Sequence, residues 1–262
     1  MRVGYYQFNP QFGNLAENRK HIKQALLKVD ADLIVLPELP VSGYFFSDKE
    51  EVESLAEPVP GPTTKILQSI SSQTGTYFIT GLLETSKNNL YNSAVMVGPD
   101  GPISTYRKTH LFYEEKNFFE PGNSFGIVEI KGIKIGMLVC FDHLFPESAR
   151  TLALMGAQII CHPSNLVLPE IAQLTTRVRA LENRVFWIMA NRWGSETKKN
   201  KTHKYTGKSQ IISPTGKVLY QSLSEGDDLY ITDIDPVDAL KKNITEFNNI
   251  FDDRRTDIYR YS

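Results

Sequence analysis

The stretch that most constrains the fold is Ile133-Lys-Ile-Gly-Met-Leu-Val-Cys140-Phe-Asp-His-Leu-Phe-Pro146-Glu-Ser-Ala-Arg-Thr-Leu-Ala-Leu-Met-Gly156. A mostly apolar run stops at Cys140, and a helical pattern opens at Pro146 and closes at Gly156. Proline suits the first helical turn, where its missing N–H is not needed, and glycine suits the position just past a helix end. Strand, short turn and helix is the predicted order, with Cys140 at the strand's carboxyl end. In open α/β sheets the loops at that edge converge on a crevice. A thiol held there among exposed backbone N–H groups can ionise and become a nucleophile. A small buried hydrophobe is the alternative reading of the same residue.

The same layout occurs earlier. Asp32-Leu-Ile-Val-Leu-Pro37 is a short continuous apolar run, as in a strand covered on both faces, and Glu38 follows it directly. A carboxylate in Leu-Pro-Glu-Leu-Pro does not lie on a solvated face and needs a specific partner. Around these two runs, residues 1–8 form a first strand, and Asn14 with Glu17 opens a helix through about Val29. A helix is expected near Thr64–Ser72, and strands at Thr76–Leu83 and Tyr91–Val97, the latter closed by the hairpin turn Gly98-Pro-Asp-Gly101. Further on come a strand at Ala157–Pro163, a helix at Pro169–Val185, a strand at Trp187–Ala190 and a mobile charged loop at Gly194–Tyr205. A hairpin spans Gln210–Gln221, and a last strand Leu229–Ile234. Roughly ten strands with four or five helices imply two sheets face to face with helices outside.

At 262 residues and 41% hydrophobic content the chain can bury a large core. A net charge of −1, with Lys and Arg scattered, removes the electrostatic case for nucleic acid or membrane partners. Two cysteines make no disulfide framework, and no stretch has a signal or membrane-span layout, so a cytoplasmic protein with reduced thiols is expected. Gly207-Lys-Ser209 resembles the end of a phosphate loop, but Thr202 stands where its first glycine belongs. A metal site built from Cys140, Asp142, His143, Cys161, His162 and His110 is not expected. Cys161 and His162 are strand neighbours pointing to opposite faces, and no zinc spacing is present.

There remain a strand-end thiol, a strand-end carboxylate and a lysine, Lys108, in an aromatic-rich loop. Together they have a chemistry: the carboxylate takes the thiol proton, and the ammonium with the N–H after the nucleophile stabilises a tetrahedral oxyanion. Glutamate can replace the usual histidine base where burial raises its pKa.

The segments in register resemble the nitrilase superfamily of carbon–nitrogen hydrolases. They are Pro37-Glu38-Leu39 with Gly43-Tyr44, Arg107-Lys108-Thr-His110-Leu111-Phe112, Cys140-Phe-Asp142-His-Leu-Phe145-Pro146-Glu147, Gly156-Ala157 and Pro163-Ser164-Asn165. The resemblance implies a single domain over 1–262 with a four-layer α-β-β-α sandwich of two mixed sheets and outer helices. It also implies no cofactor or metal, a small-molecule substrate, and homodimers or larger homo-oligomers. It makes Glu38 the general base, Lys108 the charge stabiliser and Cys140 the nucleophile, with Glu115, or its neighbour Glu114, as second glutamate and Asp142 structural. Tyr44, Phe112, Phe118, Phe141, His143 and Asn165 are candidate pocket residues. Cys140-Phe141-Asp142, in place of Cys-Trp-Glu, points to an amide or N-carbamoyl substrate; nitrile hydrolysis and a silent scaffold are the alternatives. The aromatic tail, residues 247–262, is expected to pack on a partner subunit.

Overall fold

The computed structural model describes residues 1–198 and 200–259. Two six-stranded mixed sheets stack face to face. The first has β1 (Arg2–Gln7), β2 (Leu33–Val35), β3 (Tyr77–Ser86), β4 (Asn89–Gly98), β5 (Gly101–Arg107) and, far along the chain, β14 (Asp228–Asp233), in the order β14-β1-β2-β3-β4-β5. The second has β6 (Ile127–Ile130), β7 (Ile133–Met137), β8 (Ile159–Ser164), β9 (Phe186–Asn191), β12 (Gln210–Ile212) and β13 (Val218–Gln221), in the order β13-β12-β9-β8-β7-β6. Each sheet is parallel at its centre, β1-β2-β3 and β7-β8-β9, and antiparallel at its edges.

Period-two alternation sorts the first sheet's side chains. Val3, Tyr5, Leu33, Val35, Ile79, Ala94 and Met96 face the second sheet and share one core with Ile135, Ile159, Cys161 and Ile188. The intervening Tyr6, Ile34, Phe78, Val95 and Val97 face outward, where Ile22 and Leu26 of α1 (Leu15–Leu26) and Leu67 and Ile70 of α3 (Pro62–Thr74) cover them. On the far side α4 (Pro146–Leu154) and α5 (Ile171–Asn183) cover the second sheet through Ala149, Leu152, Ala172 and Ala180. Helix, sheet, sheet, helix is thus the layer order. Among the described residues no helix is long and apolar enough to cross a membrane.

Three sequence expectations need correction. The charged stretch expected to be a mobile loop is an antiparallel ribbon, β10 (Trp193–Lys198) with β11 (Lys201–Thr206). Its charges hid the pattern because one buried carboxylate anchors it: Glu196 accepts from Phe45 N–H and the Tyr205 hydroxyl and pairs with buried Arg192. Helix α2 (Lys49–Leu55), too short to show a period, also escaped prediction; Asp48 caps it through the N–H of Glu51. The helix expected to run to Val29 ends at Leu26. In the tail Phe251 packs on the chain's own core, against Arg150 and Lys242, while Phe247 and Ile258 are exposed. Tyr261 lies outside the described residues.

Candidate active site

Glu38, Lys108 and Cys140 arrive from three strand ends: β2, β5 and β7. After β7 the chain stays extended through Val139, then turns sharply into a 3-10 turn, Cys140–Leu144, that begins with Cys140 at φ +43°. A non-glycine residue in that left-handed region costs about 1–3 kcal/mol, so the turn must be held from outside. Asp142 holds it. Its Oδ2 accepts from Val139 N–H at 2.9 Å and the Tyr106 hydroxyl at 2.7 Å; its Oδ1 accepts from His110 N–H at 3.2 Å. The turn carrying Cys140 is thereby tied to the loop carrying Lys108. His162, from β8, bonds the Cys140 carbonyl at 2.8 Å through Nε2, and the Asn165 N–H points at the Cys140 sulfur.

Glu38 is placed by contact with backbone. Gly81 N–H donates to the Pro37 carbonyl at 3.0 Å, and a Cβ on Gly81 would lie 2.5 Å from the Glu38 Cα. Lys108 is placed the same way: Gly122 N–H donates to its carbonyl at 2.8 Å, and a Cβ there would lie 2.0 Å from the Arg107 carbonyl.

The side chains form one dry network. Lys108 Nζ donates to Oε1 of Glu38 and to Oε1 of Glu115, each at 2.8 Å. Asn92 Nδ2 repeats the bridge, 2.6 Å to Glu38 and 2.8 Å to Glu115. Glu115 Oε2 accepts from Phe112 N–H at 2.6 Å, and the Tyr44 hydroxyl bonds Glu115 as well. Glu115, buried, is therefore the partner of Lys108, whereas Glu114 is half-exposed and nearest to Lys201. Asn92 was missed from sequence; its signal is a polar residue inside the apolar run Tyr91–Val97.

Burial is the main electrostatic force here. It pushes the Glu38 carboxyl up, Lys108 pulling the other way, and it pushes the Cys140 thiol up too, with Glu38 adding to the rise. For Lys108 burial works against the charge, but Glu115 and Glu38 outweigh it and hold the ammonium protonated. Glu38 Oε2 is buried and has no partner.

Cys140 opens into a small cleft. Of the candidate pocket residues, Phe112, Phe141, His143 and Asn165 line it. Tyr44 and Phe118 do not: they line a neighbouring hollow with Glu115, on the other side of Phe112. Phe112 lines both hollows. Among the described residues no group of three or more His, Cys, Asp or Glu is arranged to hold a metal ion.

The family model for carbon–nitrogen hydrolases matches residues 2–241. The chain belongs to the carbon–nitrogen hydrolase family. It is similar to a protein of Pyrococcus abyssi named nitrilase, 44% identical over 99% of both chains. It is also similar to an (R)-stereoselective amidase of a Pseudomonas species, 30% identical over 97% of this chain and 92% of the other. A carbon–nitrogen hydrolase structure from Helicobacter pylori G27 superposes with a TM-score of 0.87 over 99% of this chain and 96% of that one, at 24% identity. The fold is accordingly that of the nitrilase superfamily, and the chain is a carbon–nitrogen hydrolase.

Proposed function

We propose that this hydrolase cleaves the carbon–nitrogen bond of a small amide or N-carbamoyl compound through a thioester on Cys140. The observation that carries the reading is the division of labour in Glu38. Oε1 is committed to Lys108 and Asn92, while the buried Oε2 has no partner and the carboxylate acts on the Cys140 thiol. A carboxyl raised by burial is a stronger base than a solvated one.

Glu38 Oε2 takes the thiol proton as Sγ attacks the carbonyl carbon. The S–C bond forms and the carbonyl pair moves onto oxygen, where Lys108 Nζ and the Phe141 N–H meet it. Collapse restores the C=O bond and breaks C–N, and the nitrogen leaves as ammonia or amine with the proton from Glu38. Water then attacks the thioester, gives its proton to Glu38, and the acid departs as the sulfur is reprotonated. Glu115 keeps Lys108 pinned and charged throughout.

The test is ammonia release by wild type and Cys140→Ala across matched aliphatic and aromatic amides, N-carbamoyl amines and nitriles. Mass spectrometry of the quenched enzyme looks for an acyl adduct on Cys140. Release by both proteins would remove the nucleophile assignment. The 44% identity to a protein named nitrilase supports a second reading, attack on a nitrile to give a thioimidate, and best turnover of nitriles would favour it.

A further inference from the structure

The cleft beside Cys140 is apolar on most sides: Phe112, Leu144, Val167, Leu168 and Ile171 form its walls, and no Asp, Glu, Lys or Arg is among the residues lining it. A charged group entering it loses its hydration against walls that carry no charged side chain, a large cost. The polar exceptions are Asn165 and His143, and each has hydrogen-bonding capacity left over.

Asn165 is 2% exposed, and neither its Nδ2 nor its Oδ1 has a partner. Nine in ten or more buried polar groups are paired, so a whole carboxamide left open is aimed at something from outside the chain. His143 is 4% exposed and its Nδ1 lies 2.6 Å from the Thr175 hydroxyl oxygen. That hydroxyl donates to the Ile171 carbonyl at 2.9 Å, so its oxygen accepts from Nδ1–H and leaves the Nε2 lone pair free. Burial also keeps the ring neutral, pushing its pKa down to about 3. The cleft therefore offers three polar sites: Asn165 Nδ2 with two N–H donors, and the acceptors Asn165 Oδ1 and His143 Nε2.

We propose that Asn165 and His143 recognise the non-reacting end of the substrate, and that this end is a neutral carboxamide; the inference rests on the amide reading above. A primary carboxamide carries both an acceptor for Asn165 Nδ2 and N–H donors for Oδ1 and Nε2. A carboxylate has no hydrogen to give to Oδ1 or Nε2, and an alkyl end leaves all three sites unpaired.

Three amides of matched length separate the cases: succinamide, succinamate and butyramide. Each is titrated calorimetrically into the full-length Cys140→Ala protein, which does not depend on turnover. Succinamide is expected to bind at least about ten-fold more tightly than either analogue, the worth of one buried hydrogen bond or more. On the same background Asn165→Leu, and separately His143→Phe, are expected to lower the ratio of succinamide to butyramide affinity toward one. Asn165→Leu replaces polar atoms that have no partner, so its melting temperature is expected to equal or exceed the parent's, and His143→Phe provides an independent variant. Absence of a succinamide preference, or its survival in both variants, overturns the proposal. Wild type that shows this preference but releases no ammonia from any of the three would count against the reaction and leave the recognition pair standing.

Discussion

Lys108 and Glu38 face each other at 2.8 Å with neither side chain reaching water. The lysine serves two carboxylates at once, since Glu115 is as close. Lys108→Met leaves both acids buried without a cation, and removing one partner of a buried pair costs about 3–5 kcal/mol. Denaturant unfolding is expected to show a loss of that size together with loss of ammonia release. Glu38→Gln keeps the Lys108–Glu115 pair, so its stability loss is expected to be about 1–2 kcal/mol while turnover falls about 10²–10⁴-fold. A Lys108→Met protein as stable as its parent would contradict this account.

Asn92 donates to both acids, and its bond to Glu38 lowers that carboxyl's pKa against the rise from burial. In Asn92→Ala the Glu38 carboxyl, the proposed base, therefore stays protonated to higher pH. The acidic limb of the kcat/KM profile is expected to move upward, a shift that loss of folded protein alone does not produce.

His162 is fully buried, and burial brings its pKa down to about 4 although its bond to the Cys140 carbonyl acts the other way. In the unfolded chain a histidine titrates near 6.5. Between those values the unfolded state binds a proton that the native state refuses, so stability is complete above about pH 6.5 and declines as the solution is acidified. The loss from His162 is about 3 kcal/mol by pH 4, at up to about 1.4 kcal/mol per pH unit. His143, depressed to about 3, adds to it. Urea midpoints at pH 7.5, 6 and 5 measure the slope, and a flat profile would refute it.

A methyl group on Gly81 would meet the Leu39 nitrogen at 2.4 Å and the Glu38 Cα at 2.5 Å. Backbone, not a flexible side chain, must yield. Gly81→Ala is expected to lose about 1–3 kcal/mol of stability through overpacking, and about 10²-fold in turnover through misplacement of Glu38. Normal kcat in this variant would show that the Glu38 position tolerates displacement.

Phe251 packs within its own subunit, but Phe247, Ile258 and Tyr259 are exposed apolar groups. Deleting residues 247–262 is expected to lower the mass seen by light scattering, and an unchanged mass would remove the idea that this tail meets a second subunit.

What could be read from sequence was what local chemistry determines. The strand-turn-helix at Cys140 is marked by Pro146 and Gly156, and both bracket α4 as expected. The hairpin at Gly98–Gly101 is likewise present as the β4–β5 turn. Glu115 could be separated from Glu114 only by the fold, because adjacent residues in a 3-10 turn point in different directions and just one meets Lys108. Asn92 owes its place to strand register, and the β10–β11 ribbon to a single carboxylate bonded across 151 residues. Neither relation leaves a local pattern.

Glu38 and Lys108 hang from one sheet and Cys140 from the other, with Asp142 tying the two loops across the seam. Under the proposed mechanism neither sheet is a site by itself, and a chain with both sheets formed but not yet docked holds all three reacting groups and no catalyst. Activity in this protein is a property of the seam, so regain of turnover during refolding reports the docking of two halves rather than the formation of either.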